Sequence, residues 1–129
     1  MAKVLVADDS STMRAIIVNT LRDMDVTHIV EAGDGSEAEA AFQQDEFDLV
    51  VLDWVMPGRT GLEVLRSIRD RDAKVPVIMV TAAGSDRGEV AEAREAGAND
   101  YLLKPFHSVT LQKKLGKFCQ QATVGRTAR

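Results

Sequence analysis

With a single cysteine, Cys119, in 129 residues, the chain cannot form an internal disulfide, and that scarcity fits a reducing compartment. Nowhere does an apolar run approach the ~18 residues of a membrane-spanning helix. The amino-terminal segment reaches two acids, Asp8 and Asp9, before the apolar core of a secretion signal can develop. Basic excess is missing too. The net charge is -4, which argues against nucleic acid or an anionic membrane as the main partner, since both select basic surfaces. No internal repeat, linker or low-complexity segment precedes the tail. These absences together predict a soluble, cytoplasmic protein.

What is present suits one domain. Hydrophobic residues make up 45% and charged residues 28%, enough for a real core under an ordinary soluble surface. Apolar strands are expected at residues 3–7, 28–32, 48–52, 76–81 and 99–103. Helices are expected between them and after the last. Ser10 or Ser11 can cap the first helix, whose Met13, Ile16, Ile17, Thr20, Leu21 and Met24 recur at helical spacing. Asp34-Gly35-Ser36 makes a turn and cap before Ala38, Ala41 and Phe42. Leu62, Leu65 and Ile68 face inward on a helix over 61–70. A helix over about 87–96 stops at Gly97 in a C′ position. Ser108 caps the last helix, with Leu111, Leu115, Phe118 and Cys119 inward. The domain is expected over 1–122, with 123–129 a disordered tail.

Val50-Val51-Leu52 and Val77-Ile78-Met79-Val80 show no polar alternation. Strands that are apolar on both faces belong to a parallel sheet covered by helices on each side. The expected fold is therefore α/β, a doubly wound five-stranded parallel sheet of flavodoxin-like (βα)5 type. In such sheets ligands bind beyond the carboxyl ends of the strands, where the strand order reverses. The residues there are Asp8 and Asp9 after strand one, Asp53 after strand three, Thr81 after strand four and Lys104 after strand five. A strand order of 2-1-3-4-5 puts the reversal between strands one and three and gathers the three aspartates.

Clustered carboxylates raise one another's pKa values. A hard divalent cation such as Mg2+ relieves that and prefers oxygen ligands; Mn2+ is a second candidate. Lys104 adds positive charge and Thr81 a hydroxyl donor. The set suits a phosphoryl group in transfer, which depends mostly on positioning and charge neutralisation. Asp53, delivered by an apolar run, is the candidate nucleophile. Singly, each residue has a plainer explanation: acids beside a helix N-terminus, a threonine cap, a Lys-Pro turn. Joint placement at four strand ends on one edge favours the chemical reading.

Asp8-Asp9, Asp53 with Met56-Pro57-Gly58, Thr81-Ala82 and Lys104-Pro105 closely resemble the receiver domain of two-component response regulators, of the stand-alone CheY-like kind. The similarity covers about residues 3 to 121. It implies that Asp53 accepts a phosphoryl group from a phosphohistidine on a sensor histidine kinase. It implies a Mg2+ site of Asp9, Asp53 and the Val55 backbone carbonyl, with Asp8 holding a metal-bound water. Phosphate contacts would come from Thr81, the Ala82 backbone and Lys104. The Lys104-Pro105 peptide would be cis, and Thr81 with Tyr101 would form the switch. Such a protein is no enzyme toward external substrates and catalyses only its own phosphorylation and dephosphorylation.

The helix over 87–96 buries only Val90 and alanines, so it should be weakly anchored and able to move. With strand five and the last helix it is the expected face for a downstream target. Val55 and Ala83 flank the expected path of the hydrolytic water and offer it no polar group. Slow self-dephosphorylation is expected, and a partner phosphatase is a candidate partner. Chemotaxis toward a flagellar motor is the favoured pathway; a phosphorelay intermediate, or a receiver from a longer regulator, is the alternative. A monomer is expected, with phosphorylation-promoted dimerisation as the variant. His28 and His107 read as surface residues, Met13, Met24 and Met79 as core, and Trp54 as a flank of the site. A haloacid dehalogenase-type phosphatase is disfavoured, because Val55 stands where its general acid is needed. A flavodoxin-like FMN carrier is disfavoured because Asp8-Asp9 would repel the FMN phosphate.

Overall fold

Lys3–Ala7 (β1), His28–Ala32 (β2), Leu49–Asp53 (β3), Val77–Ala82 (β4) and Asp100–Lys104 (β5) form one parallel sheet in the order β2-β1-β3-β4-β5. The expected order is thus the observed one. A computed structural model describes residues 2–82 and 87–127; side chains are described as far as residue 119, except those of residues 87 and 88. One register row runs Val6, Val51, Ile78, Asp100 across β1, β3, β4 and β5. β1, β3 and β4 are buried on both faces because helices cover each side.

Ser11–Asp23 (α1) and Ser108–Thr127 (α5) cover one face. Val4, Val6, Val51, Ile78, Val80 and Leu102 pack there against Ile17, Leu21, Leu111 and Leu115. Gly35–Gln44 (α2), Gly61–Arg71 (α3) and Arg87–Glu95 (α4) lie over the other. Leu5, Val50, Leu52, Val77 and Met79 meet Ala38, Phe42, Leu65, Ile68 and Ala93. Fully burying each large aliphatic side chain is worth roughly 1.5–3 kcal/mol, so these two layers dominate the stability of the fold.

Local signals fix the helix starts. The Ser10 hydroxyl accepts from Met13 N, and the Asp34 carboxylate accepts from Glu37 N. Thr60 and Glu63 form a reciprocal capping box on α3, satisfying two donors at once. Gly97 has φ +109° and ends α4 in the left-handed region, where a side chain would be strained.

Three expectations shift. Ile16 is exposed and Val18 takes its place in the core. They lie two residues apart, about 200° around the helix, on opposite flanks of the stripe set by Ile17 and Leu21; α1 turns its Val18 flank inward. β3, β4 and β5 each begin one residue later than expected and continue to Asp53, Ala82 and Lys104. α5 runs through residue 123, the expected start of a tail, to Thr127. No proline interrupts residues 108–127, and the helix passes through Gly116 and Gly125.

Gly61 opens α3 directly under β3. A Cβ there would sit 2.2 Å from the Asp53 carbonyl oxygen, a distance at which backbone must move. Gly61→Ala is expected to destabilise the fold by about 3 kcal/mol, measured as a lowered denaturant midpoint with an unchanged slope.

Candidate functional site

β1 and β3 end side by side, with β5 two strands beyond β3, and residues at these three strand ends build one pocket. Asp8 and Asp53 are buried, at 1% and 6% exposure, while Asp9 lies open at the mouth. Carboxylate oxygens from the three aspartates all fall within 4.8 Å of one another. β5 brings Lys104 across from the far side. Its ammonium donates to Asp53 Oδ2 at 3.2 Å and to Asp8 Oδ2 at 3.4 Å.

The backbone holds Asp8 in place. Its N–H donates to the Ala32 carbonyl of β2 at 3.1 Å, and its Oδ1 accepts from Ser10 N at 2.9 Å. That second bond closes an Asx turn, so one carboxylate oxygen is fixed by the cap while the other faces the pocket. Asp53 is the last β3 residue in the ladder and pairs with Val80 of β4. Trp54 N donates to the Val80 carbonyl at 2.9 Å, and Gly61 N returns to the Trp54 carbonyl at 2.8 Å. Residues 55–60 therefore form a loop closed at its base directly after Asp53.

Burial pushes the Asp53 carboxyl up to about 6 from 3.8; the neighbouring Asp8 charge adds to the rise, and Lys104 offsets part of it. The site is thus short of positive charge when metal-free. Three oxygen donors within reach of one ion, one of them strained toward protonation, match a hard divalent cation such as Mg2+.

Thr81, the penultimate residue of β4, lies on the same edge. It is 1% exposed, and its Oγ1 has no hydrogen-bond partner. A buried, unpaired hydroxyl costs roughly 1–3 kcal/mol and marks where a further acceptor fits. Ala82 is exposed beside it, and the Lys104-Pro105 peptide is cis. Val55 is 72% exposed on the loop after Asp53. Ala83 lies outside the described residues.

Tyr101 is half-buried on β5, with Arg94 5.5 Å and Lys114 5.2 Å from its ring centre. Trp54 is partly buried against the core beside the site. His28 and His107 are exposed, Met79 is buried, and Met13 and Met24 pack against the core.

Two site residues were not anticipated. Arg14, on the first turn of α1, donates from Nη1 to the Asp8 carbonyl at 2.6 Å and from Nε to Glu31 at 3.1 Å. Only a basic residue following two acids hinted at it. Gly61 was expected merely to open a helix, yet its missing side chain lets α3 approach Asp53.

Comparison with known proteins agrees with this geometry. Residues 4–116 match the family model described as the response regulator receiver domain. The chain is 44% identical over 121 residues to the chemotaxis protein CheY of Pseudomonas aeruginosa, covering 92% of this chain and 97% of that one. The structure of chemotaxis protein CheY4 of Vibrio cholerae is similar, with a TM-score of 0.82 and 34% identity over 92% of this chain and 98% of that one. NtrX of Brucella abortus gives a TM-score of 0.85 at 27% identity, covering 98% of this chain but 28% of that one. No helix among the described residues is long and apolar enough to cross a membrane.

The raised Asp53 pKa has a signed consequence. Between pH 3.8 and about 6 the folded state binds this proton more readily than the unfolded state. The ionised carboxylate therefore weighs against folding above about pH 6, and the penalty fades as pH falls toward 3.8. Asp53→Asn should stabilise the metal-free protein at pH 7.5 by up to about 3 kcal/mol. Urea melts should show the gain shrinking on acidification, and shrinking again in excess Mg2+, which stabilises only a chain that binds it.

Proposed function

The chain belongs to the response regulator receiver family, and from that premise we propose that it is a phosphoacceptor switch. It takes a phosphoryl group onto Asp53 from the phosphohistidine of a sensor histidine kinase. The observation that carries this reading is the pocket itself: Lys104 bridging Asp8 and Asp53, with Asp9 at the mouth and an unpaired Thr81 hydroxyl alongside.

Asp9, Asp53 and the Val55 carbonyl would hold Mg2+ or Mn2+, with Asp8 behind a metal-bound water. When bound, the ion neutralises charge on the phosphoryl oxygens. An Asp53 carboxylate oxygen attacks phosphorus; the new O–P bond forms as the N–P bond breaks and its electron pair returns to the imidazole. Lys104 then exchanges its contact with Asp53 for a phosphoryl oxygen. The Thr81 hydroxyl and the Ala82 N–H donate to the others. Every donor sits on a strand end, so little reorganisation is needed.

The switch reading rests on Thr81 and Tyr101. A Thr81 hydroxyl drawn toward the phosphoryl group vacates space beside β5, and the Tyr101 ring turns into it. Ala93 is the one buried α4 side chain among the described residues, so this helix can shift at low cost. Leu103 and Val109 are exposed on the face of α4, β5 and α5, which suits a target that binds the phosphorylated form. Chemotaxis signalling is favoured because the relatives are named for it. A phosphorelay step, or work as the receiver module of a longer regulator, is the second reading; NtrX shows that a longer chain can carry the same fold.

A kinase carrying radiolabelled phosphohistidine should label the wild-type chain only with Mg2+ or Mn2+ present. Asp53→Asn should take up no label; undiminished labelling, or labelling in EDTA, would refute the assignment. Val55 offers the attacking water no polar group, so the isolated phosphoprotein should outlast a few seconds, and Val55→Asn should shorten its lifetime. Amide exchange over α4 should rise or fall on adding beryllofluoride; identical protection would count against the proposed output face.

A further inference from the structure

The loop between Asp53 and α3 is docked onto α2 at every step. The Pro57 carbonyl accepts from Gly35 N at 3.4 Å. Gly58, at φ +81°, lies against Ser36, whose Oγ would be 3.1 Å from an added Cβ. The Arg59 carbonyl packs so closely on Gly35 that a Cβ there would come within 1.9 Å. The Arg59 side chain reaches along α2 to Glu39, with Nε facing Oε2. Both atoms are shut off from water and neither has another hydrogen-bond partner. Glu39 is itself held from α3, where the Ser67 hydroxyl donates to its Oε1 at 3.2 Å. Glu63 lies 3.7 Å from the other side of the guanidinium.

These contacts secure the tip of a loop whose base is the Trp54–Gly61 bond. Val55 sits between base and tip with its side chain exposed, so the placing of its carbonyl falls to its neighbours in the loop: Met56, buried in the core, and the docked tip. We infer that Arg59, through Glu39, is a positioning residue for the Val55 carbonyl as a divalent-cation ligand. The inference rests on the Mg2+ site proposed above. The pair touches neither cation nor phosphoryl group; it restricts where the loop can hold that carbonyl. A ligand fixed before binding loses less freedom on binding, and partners behind a ligand commonly control metal affinity. Breaking an ion pair whose facing atoms are dry leaves a buried charge uncompensated. Much of the guanidinium is solvated, which limits the effect.

The test is a Mg2+ titration of the full chain, read by Trp54 fluorescence and checked by calorimetry. Arg59→Ala and Glu39→Gln should each weaken Mg2+ binding about fivefold, which corresponds to ~1 kcal/mol for a half-exposed pair. The double variant should be no weaker than either single one, the signature of a shared interaction. Arg59→Lys should recover part of the affinity, a rescue that a purely structural role would not produce in the metal titration. Unfolding in EDTA reports any general loss of stability separately. Wild-type affinity in both single variants, or full additivity in the double variant, overturns the inference and leaves the Mg2+ site standing. If the wild-type chain binds no Mg2+ while Asp53→Asn behaves identically, the site and the inference fall together.

Discussion

Lys104 Nζ lies 3.2 Å from Asp53 Oδ2 and 3.4 Å from Asp8 Oδ2, and without that cation the carboxyl ends of β1 and β3 would repel one another in a dry pocket. β1 and β3 end level, with Ala7 opposite Leu52, so Asp8 and Asp53 come next to each other at their tips. The sheet cannot relax the crowding, because β1 and β3 are its central, fully buried strands. Charge has to be supplied from outside the pair. One cation comes from β5, two strands away from β3, and it offsets only part of the rise that burial and the Asp8 charge give the Asp53 carboxyl. A divalent ion, as proposed for this pocket, would relieve the remaining crowding.

Much of this arrangement was legible in the chain. Both-face hydrophobicity in Val50-Val51-Leu52 and Val77-Ile78-Met79-Val80 implies a covered parallel sheet, and such a sheet determines which edge bears ligands. Asp53 stands out because an apolar run delivers a carboxylate to that edge. Less visible were features with no periodicity behind them. Ile16 and Val18 flank the Ile17–Leu21 stripe on opposite sides, and the exact rotation of α1 on the sheet, which the pattern does not specify, decides which is buried. Arg14 reaches a main-chain carbonyl, a partner that every residue offers, so no residue type could signal it. Gly35 and Gly61 matter through the side chains they lack, and the distances of 1.9 and 2.2 Å appear only once the loop is folded.

Rigidity is unequal around the pocket. On the β1 side the Asp8 carboxylate is tied to Ser10, its carbonyl to Arg14 and its N–H to β2. On the β3 side the loop is pinned at base and tip. On the β4 side the Thr81 hydroxyl has no partner, and α4 beyond it presents little to the core. Strong ties surround the residues proposed as nucleophile and metal ligands. Weak ties lie where the proposed switch motion would carry a signal outward.

The two faces of the sheet divide the labour in the same way. α1 and α5 meet the sheet through Ile17, Leu21, Leu111 and Leu115, large side chains that bind the layers firmly. α2 and α3 pack through Phe42, Leu65 and Ile68, and that firmness gives the loop after Asp53 a fixed platform to dock on. α4 shares the second face with them but contributes Ala93, a methyl group worth a fraction of a leucine in burial. A change at Thr81 therefore meets little resistance from α4 and much from its neighbours. The uneven side-chain sizes of these helices, not any hinge sequence, would direct the proposed displacement toward β5 and the α4 surface.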